Sequence, residues 1–362
     1  MKAGLSPLAA MLIGASLSTA VVSSASACTR AFLNAYPGYL ISARNLDFFG
    51  PVDPSLVITP VGIEHTGSDS ANALRWKTRF GSVVIYADGV FPMDGINEKG
   101  LAGHTQYYTN GKQEQADHKG KPELDSRAWL SYLLDNFANV DDAVKGLKDV
   151  RLVAKKMPID YASDTKHIAL EDASGDSAII EIDNGEVNIY HGRNYRVMTN
   201  PPSYEQQLKN YEKFRNVDAD HIPGSQSSED RFVRASIDLK NVPQPNSKAQ
   251  AQGFILSVIN NAAFPINYPD ANDKMVKAIT EAYQKYSKFP TENQGTATYW
   301  TTIADLSHSE YHFKSVSAAS EVMIDLKKVD FSAGQPVKRI DHLQHYAENG
   351  WQGDVLQYAK AH

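Results

Sequence analysis

The sequence predicts a layered α+β fold in which antiparallel β-hairpins are interrupted by a group of helices. Short alternating or β-branched segments, bounded by Gly, Asp or Asn, dominate both the beginning and the end of the chain. Helical spacing is confined to longer stretches between residues 126 and 260. Strands and helices therefore occur in runs, and not in the strict alternation that a parallel βαβ fold requires.

The predicted strands are short, and the first two form a hairpin. Segments 28–35 and 39–45 flank a Tyr-Pro-Gly sequence that is typical of a tight turn. Further strands are predicted at 55–59, 82–87, 151–154, 167–171, 178–182, 187–191, 195–199, 297–304, 311–317 and 321–326.

Five segments show helical spacing of their apolar residues. Asp125 and Asp141 stand immediately before the first two segments and are their expected N-caps. The predicted helices are 126–137, 142–147, 204–214, 229–239 and 248–260. Because no repeat and no long Pro/Gly/Ser linker divides the chain, we expect residues 28–362 to form one domain.

The composition is that of an ordinary globular protein. Of the 362 residues, 42% are hydrophobic and 22% are charged, which disfavours both a disordered chain and a membrane protein with several spans. The formal net charge of -6 disfavours a nucleic-acid-binding function. The single cysteine excludes an intrachain disulfide and a cysteine-rich zinc site. The position of that cysteine is therefore the most informative feature of the composition.

The first 27 residues have the pattern of a secretory signal peptide. A lysine at position 2 is followed by a short apolar run and then by the small residues Ala25-Ser26-Ala27. The run is too short and too interrupted by Ser and Gly to favour a membrane span. The pattern predicts cleavage between Ala27 and Cys28, so that a periplasmic or secreted mature chain begins with its only cysteine.

A cysteine at this junction has two interpretations. Cys28 is either the acylated anchor of a lipoprotein, or a nucleophile whose own α-amine serves as its general base. Lipoprotein signals usually carry Leu three residues before the cysteine, whereas this chain has Ala25, and no Ser/Gly-rich tether follows Cys28. These features favour the nucleophile and leave the lipid anchor as the alternative.

Arg44 and Asp47 lie on the return strand of the predicted hairpin or just after it. The hairpin folds both positions back beside Cys28. A guanidinium there would lower the pKa of the thiol, and a carboxylate would hold the α-amine through a charge-assisted hydrogen bond. A solvated surface pair is the alternative, since exposed ion pairs are common and contribute little.

Four further motifs follow Cys28 in the chain. They are ARNLDF at 43–48, DGINEKGL at 94–101, MTNPP at 198–202 and DRFVR at 230–234. Each motif is weak alone, but their order resembles the choloylglycine hydrolase family, which contains penicillin V acylases and conjugated bile salt hydrolases. Residues 299–301 and 311–313 also resemble late strands of that family, so the resemblance extends over essentially the whole mature chain. It implies an αββα four-layer sandwich of the N-terminal nucleophile hydrolase type, with two antiparallel sheets between helical layers.

The resemblance also implies roles for individual residues. Cys28 would attack the carbonyl of a linear amide, and Arg44 and Asp47 would tune and orient it. Asn200 would donate from its side-chain amide to the oxyanion of the tetrahedral intermediate. A backbone N–H at Tyr107 would complete this oxyanion hole.

Arg231 matches the remaining arginine of the family and would hold the charge network near the nucleophile. Without the resemblance, Asn200 is typical of a turn before two prolines, and Arg231 of a solvated helix surface. The implied reaction passes through an acyl-thioester that water then hydrolyses. It requires neither a metal nor an organic cofactor, because the general base belongs to the nucleophilic residue.

The expected partner is a small-molecule acyl amide substrate. The chain resembles the Gram-negative branch of penicillin V acylases, which also cleave N-acyl-homoserine lactones. Tyr107, where bile salt hydrolases carry Asn, favours penicillin V over a conjugated bile salt. Four more aromatic residues are candidates to line the acyl pocket, although plain core positions are the alternative. They are Phe48, Phe49, Phe91 and Tyr108.

We expect no nucleic-acid partner and no stable membrane anchor. The resemblance allows a homo-oligomer, a tetramer as in the family. The segment 216–228 is short here, whereas longer versions of it form part of the oligomer contact in other members. The sequence therefore leaves tetramer assembly open.

Overall fold

A computed structural model of the chain describes residues 27–48, 52–110, 114–115, 120–156, 163–269 and 296–362. Its strands, in chain order, are β1 (Ala27–Leu33), β2 (Ile41–Phe48), β3 (Pro54–Thr59), β4 (Glu64–Thr66), β5 (Arg75–Lys77), β6 (Ser82–Ala87), β7 (Phe91–Asn97), β8 (Ala102–Tyr107), β9 (Glu123–Asp125), β10 (Arg151–Val153), β11 (Lys155–Lys156), β12 (Ser163–Asp164), β13 (Lys166–Glu171), β14 (Ser177–Asp183), β15 (Glu186–His191), β16 (Val197–Thr199), β17 (Ala297–Asp305), β18 (Glu310–Ser315), β19 (Val322–Asp325), β20 (Lys338–Ile340), β21 (Gly353–Asp354) and β22 (Lys360–Ala361). The α-helices within these ranges are α1 (Trp129–Asn136), α2 (Val140–Gly146), α3 (Tyr204–Glu212), α4 (Ser228–Asn241) and α5 (Lys248–Asn260). Short 3-10 helices span Leu147–Asp149, Ala219–His221, Leu326–Lys328, Leu343–His345 and Leu356–Tyr358.

Two large sheets dominate the molecule. Sheet A has seven strands in the order β16-β1-β2-β17-β18-β19-β21, and sheet B has nine in the order β15-β14-β13-β8-β7-β6-β3-β20-β22. All neighbouring strands of sheet B are antiparallel. In sheet A the pair β19–β21 at the edge is parallel, and the other pairs are antiparallel. The predicted α+β class with antiparallel sheets is confirmed.

Three apolar clusters place these sheets between helices. The cluster between the two sheets includes Cys28 and Trp300 from sheet A and Ile96 from sheet B. The outer face of sheet B packs on α1 and α2, through residues such as Leu133. The outer face of sheet A packs on α4 and α5, through residues such as Phe232. The layers therefore follow the order helices, sheet A, sheet B, helices, which is the predicted αββα sandwich.

The hairpin at the start of the described chain is present as the sequence predicts. Gly38 in its turn has a φ of 83°, a left-handed conformation that glycine adopts without strain. The register of β1 and β2 pairs Ala27 with Asp47 and Cys28 with Leu46. Cys28 therefore comes directly after Ala27, the residue that pairs with Asp47.

Two central strands of sheet B, β7 and β8, are absent from the sequence-based prediction. Strand β7 contains Pro92, Asp94 and Gly95, and β8 contains His104 and Gln106, which are residue types that do not favour a strand interior. The side chains of Asp94 and His104 are fully buried, and each contacts an ion-pair partner. The expected apolar alternation is missing because this part of the sheet buries polar groups.

The predicted N-caps of the first two helices are wrong. Helix α1 begins three residues later than predicted, and the Asp125 side chain instead accepts a hydrogen bond from the Arg127 N–H. Helix α2 is capped by Asn139, whose side chain accepts from the Asp142 N–H, and not by Asp141. Asn139 satisfies the free N–H group of the first turn, so Asp141 becomes part of the helix.

Two of the predicted features lie outside the described residues. The predicted signal peptide lies there apart from Ala27, and so does Phe49. Within the described ranges, no helix combines the length and the apolar character that a membrane crossing requires. The same residues contain no group of three or more His, Cys, Asp or Glu side chains placed to hold a metal ion.

Candidate active site

The Cys28 thiol is buried beside a guanidinium that both sheets hold in place. Arg44, on the neighbouring strand, points Nη2 at Sγ from 3.4 Å. The same guanidinium donates to the Thr105 carbonyl at 3.1 Å and to the Asp94 carboxylate at 3.4 Å. The Tyr311 hydroxyl donates to the other oxygen of Asp94. Arg44 is therefore fixed by groups from sheet B and, through Asp94, by sheet A.

Burial controls the protonation of the thiol. It raises the pKa of Cys28 above the ordinary value, and this effect outweighs the Arg44 guanidinium, which lowers the pKa. The Asp47 charge raises the pKa further, and Arg231 lowers it. The sequence predicts the lowering of the thiol pKa by the Arg44 guanidinium, but not the larger rise caused by burial. Because its pKa is raised, the thiol needs a base before it can act as a thiolate at neutral pH.

Asn200 links the main chain of Cys28 to sheet B. It follows β16, which pairs with β1, and its Oδ1 accepts from the Cys28 N–H and from Arg231 Nη2 at 3.4 Å. Its Nδ2 donates to the Tyr107 carbonyl at 2.9 Å. These partners fix the orientation of the amide. Nδ2 has two hydrogens, and it donates one of them to the Tyr107 carbonyl. The resemblance implies a role for the N–H of Tyr107, whereas the contact with Asn200 is made by its carbonyl.

The Asp47 carboxylate is buried, and its two oxygens differ in their hydrogen bonding. Thr298 donates its hydroxyl to Oδ1. Oδ2 lies 4.0 Å from Arg231 Nη1 and accepts no hydrogen bond from the described residues. Burial raises the pKa of Asp47 to about 7, although Arg231, the Thr298 hydroxyl and Arg44 each lower it. An open oxygen of this kind is suited to receive a further hydrogen-bond donor.

Arg231, on α4, holds the main chain at Cys28. Its Nη1 donates to the Cys28 carbonyl at 2.7 Å and to Thr29 Oγ1 at 2.6 Å. Its Nε donates to the Gln226 carbonyl at 3.1 Å, and the Phe264 ring lies 5.7 Å from the guanidinium carbon. A solvated position is therefore excluded for this arginine, which is 1% exposed.

Arg234 clamps the loop that precedes α4. Its Nη1 donates to the carbonyls of Pro223 at 3.0 Å and Ser225 at 2.6 Å, and its Nε donates to the Asn261 carbonyl at 3.2 Å. Its Nη2 donates to Gln226 Oε1 at 3.2 Å. Because the Gln226 carbonyl also accepts from Arg231, this clamp helps to position Arg231.

The structure brings the six residues of the predicted catalytic set into one contiguous network. These are Cys28, Arg44, Asp47, Tyr107, Asn200 and Arg231.

The predicted pocket aromatics have different positions. Phe48 and Phe91 are partly buried against the apolar cluster that contains Cys28. Tyr108 is fully buried, donates its hydroxyl to Asp183, and stacks on His167 at a ring distance of 4.8 Å. Its contacts are thus with sheet B side chains and not with the thiol network.

Several residues of the network are missing from the sequence-based site. Asp94, Tyr311 and Arg234 all lie in motifs that carry the family resemblance, but the resemblance assigns them no role. Their contacts with the Arg44 and Arg231 networks require the fold. Thr298 belongs to no such motif, and it is an ordinary polar residue within a predicted strand.

The sandwich and the thiol network at its strand ends define the N-terminal nucleophile class of hydrolases. Residues 28–338 match the linear amide C–N hydrolases, choloylglycine hydrolase family. The chain belongs to that family, and it is therefore a hydrolase of linear amide C–N bonds.

Individual relatives agree with this assignment. A penicillin V acylase of Pectobacterium atrosepticum is 34% identical over 349 residues, which cover 90% of this chain and 86% of that protein. The solved structure of penicillin V acylase from Agrobacterium tumefaciens is 29% identical, with a TM-score of 0.78 over 92% of this chain and 98% of that one. A conjugated bile acid hydrolase mutant from Clostridium perfringens shares the fold, with a TM-score of 0.68 at 18% identity over 91% of this chain and 98% of that one.

Proposed function

We propose that this protein is an exported penicillin V acylase whose nucleophile is Cys28, which becomes the first residue when residues 1–27 are removed. The observation that carries the proposal is the position of the Cys28 nitrogen, which donates to Asn200 Oδ1 while the thiol lies 3.4 Å from Arg44. The identity of 34% with the Pectobacterium atrosepticum penicillin V acylase supports penicillin V as substrate.

The register of the hairpin supports removal of the leader. Asp47 stands opposite Ala27, the last residue of the predicted signal peptide. Cleavage turns the Cys28 N–H into an α-amine near this carboxylate. The amine keeps a hydrogen for Asn200, and another supplies the donor that Asp47 Oδ2 lacks among the described residues. With an ordinary pKa of about 8, an α-amine is a suitable base for a thiol.

In the proposed reaction, the α-amine takes the thiol proton and Sγ attacks the amide carbonyl. The second Nδ2 hydrogen of Asn200 stabilises the resulting oxyanion. The protonated amine then delivers its proton to the leaving nitrogen, the C–N bond breaks, and an acyl-thioester remains on Cys28. The same amine takes a proton from water, and the hydroxide attacks the thioester, which releases the acid and restores the thiol.

The apolar cluster that contains Cys28 favours an apolar acyl arm. Phe48, Phe91, Met93 and Tyr299 are partly buried hydrophobic residues that pack against the cluster containing Cys28. A phenoxyacetyl group fits such a lining by aromatic contact, and a long alkyl chain fits it by burial of apolar surface. We therefore include N-acyl-homoserine lactones, and with them quorum quenching, as a second substrate class.

The experiment is the release of primary amine from penicillin V by purified protein that begins at Cys28. We expect Cys28→Ser to lower the rate by about 10³-fold or more, because a hydroxyl is a far weaker nucleophile, while the melting temperature stays close to that of the native protein. A protein that retains residues 1–27 should be equally inactive, since an internal cysteine has no α-amine.

A Cys28→Ser variant with most of the native activity would remove Cys28 from the mechanism. Turnover of glycine- or taurine-conjugated bile salts in place of penicillin V would keep the mechanism and change the substrate. The intact mass of the exported protein tests the leader. Loss of residues 1–27 without added mass is expected, whereas acyl chains on Cys28 would block the amine and contradict the mechanism.

A further inference from the structure

Thr298 faces Asp47 because strand β17 contains a bulge. Beyond the bulge, Trp300 is opposite Leu46, and this register continues along the strand pair. Extended in the other direction, the same register would place Tyr299 opposite Asp47, but the shift by one residue places Thr298 there. Bulges recur next to active sites, where they redirect a side chain.

Both hydrogen-bonding functions of the Thr298 hydroxyl are occupied. Oγ1 accepts from the Phe264 N–H at 2.8 Å and donates to Asp47 Oδ1. The N–H of Thr298 also donates to the Phe264 carbonyl at 3.1 Å, so the main chain of this residue is held as well. Because a hydroxyl has one hydrogen, the bond from Phe264 favours donation of that hydrogen to the carboxylate.

We propose that Thr298 is a positioning residue of the amidase, which holds the ionised Asp47 carboxylate by Oδ1 and so presents Oδ2 to Arg231 and the Cys28 amine. This inference rests on the proposed function, in which Asp47 orients the α-amine of the processed chain. Thr298 itself is buried behind Asp47 and has its contacts with Asp47 and Phe264. It therefore acts on the reaction through the carboxylate.

The charged groups that face Asp47 belong to three elements. Arg231 comes from α4, and Arg44 from the same strand as Asp47. The Cys28 thiol comes from β1, as does the α-amine that cleavage creates. Burial raises the pKa of Asp47, and the two guanidiniums and the Thr298 hydroxyl lower it. Replacing that hydroxyl by a methyl group removes one stabiliser of the carboxylate and leaves the guanidiniums in place. The pKa of Asp47 should then rise.

The test compares Thr298→Val, which has the same shape without the hydroxyl, with Thr298→Ser, which keeps it. Each protein begins at Cys28, and kcat and KM for penicillin V are measured between about pH 5 and 9. We expect Thr298→Val to lower kcat about tenfold near pH 6 with little change in KM, and to move the acid limb of kcat/KM up by about one pH unit. Thr298→Ser should have the native pH profile, because it keeps the hydroxyl.

Thr301→Val is the matched control. Thr301 lies on the same strand, is similarly buried, and donates its hydroxyl to Asn45 Oδ1 at 2.7 Å on the same neighbouring strand. Both valine variants lose one buried hydrogen bond to β2, and Thr298→Val also loses the bond from the Phe264 N–H, so its loss of stability in urea should be the larger. The pH profile of Thr301→Val should remain native, because its partner is not the carboxylate of the site.

Thr298→Val with a native pH profile, or with a uniform loss of kcat at every pH, would show a structural role and overturn the inference. Should this variant not fold, Thr298→Ala removes the same hydroxyl and carries the same expectation. Failure of the proposed function would look different. In that case the native protein would release no amine from penicillin V, or the Cys28→Ser and Asp47→Asn variants would keep the native rate, whatever Thr298 does.

Discussion

Two fully buried carboxylates in the sandwich have opposite environments. Glu171, on β13, has a basic side chain at each oxygen, since Oε1 contacts His104 Nε2 at 2.6 Å and Oε2 contacts Arg30. Burial raises the pKa of Glu171, but Arg30 and His104 outweigh it and lower the pKa to about 2. This group is ionised at every pH at which the protein is expected to work.

Asp47 has one hydrogen-bonded oxygen and one that accepts no hydrogen bond from the described residues, and burial raises its pKa to about 7. The difference between the two carboxylates separates a structural network from the proposed catalytic one. A closed network fixes the layers against each other, whereas an incompletely satisfied carboxylate near a thiol can bind a further donor. Perturbed and incompletely paired groups of this kind characterise functional sites.

Replacing Asp47 by asparagine has the largest expected effect on turnover, and it removes the charge that distinguishes Asp47 from a neutral side chain. We expect Asp47→Asn to lower kcat by about 10³-fold, because an amide cannot hold the α-amine as a carboxylate does. The free energy of unfolding should change by less than about 1 kcal/mol, since the side chain keeps its shape and the lost charge is the poorly stabilised one. Steady-state kinetics and urea unfolding measure the two quantities. Native activity in this variant would exclude Asp47 from the mechanism.

Asn200→Ala tests whether the Asn200 amide stabilises the oxyanion. Loss of one preorganised donor should lower kcat by about 10²- to 10³-fold, equivalent to about 3 kcal/mol, with a smaller change in KM. Asn97→Ala is the control, because Asn97 is also fully buried and donates to the carbonyls of Leu134 and Phe137, both at 2.8 Å. It should lose stability while the folded protein keeps its kcat. Equal kinetic losses in both variants would argue against the oxyanion role.

Glu171→Gln tests the closed network and has the smallest expected effect on turnover. At neutral pH it should destabilise the fold by about 3 kcal/mol, because the buried Arg30 charge loses its partner. The folded pKa of Glu171 lies below its unfolded value, so the stability it contributes is present above about pH 4.5 and is lost as the pH falls toward 2. Urea unfolding of both proteins along this range should show the difference between them shrinking. A constant difference would mean that Glu171 does not titrate as its contacts indicate.

Sequence patterns were sufficient for features that depend on local order. The hairpin of β1 and β2 follows from a turn between two alternating segments, and it already places Arg44 and Asp47 beside Cys28. The family motifs then supply Asn200 and Arg231, which lie far along the chain. The runs of strands and helices predict a layered α+β fold, and the family resemblance supplies the αββα order of its layers.

Other features depend on partners that are distant in the chain. Strand β7 buries Asp94 and β8 buries His104, and these polar residues are compatible with a strand only because Arg44 and Glu171 pair with them. The contact of Thr298 with Asp47 spans 251 positions and needs a bulge that no local pattern indicates. The net rise in the pKa of the Cys28 thiol likewise results from burial by the whole sandwich.

The clamp formed by Arg234 divides the loop before α4 into a fixed part and a replaceable part. The carbonyls of Pro223 and Ser225 are tied to the guanidinium. Residues 216–221 precede the clamp, and all of them except Val217 are exposed. The closure entropy of a loop grows slowly with its length, so added residues here cost little. This stretch can therefore be lengthened into an arm in designed variants while Arg231 keeps its place beside Cys28.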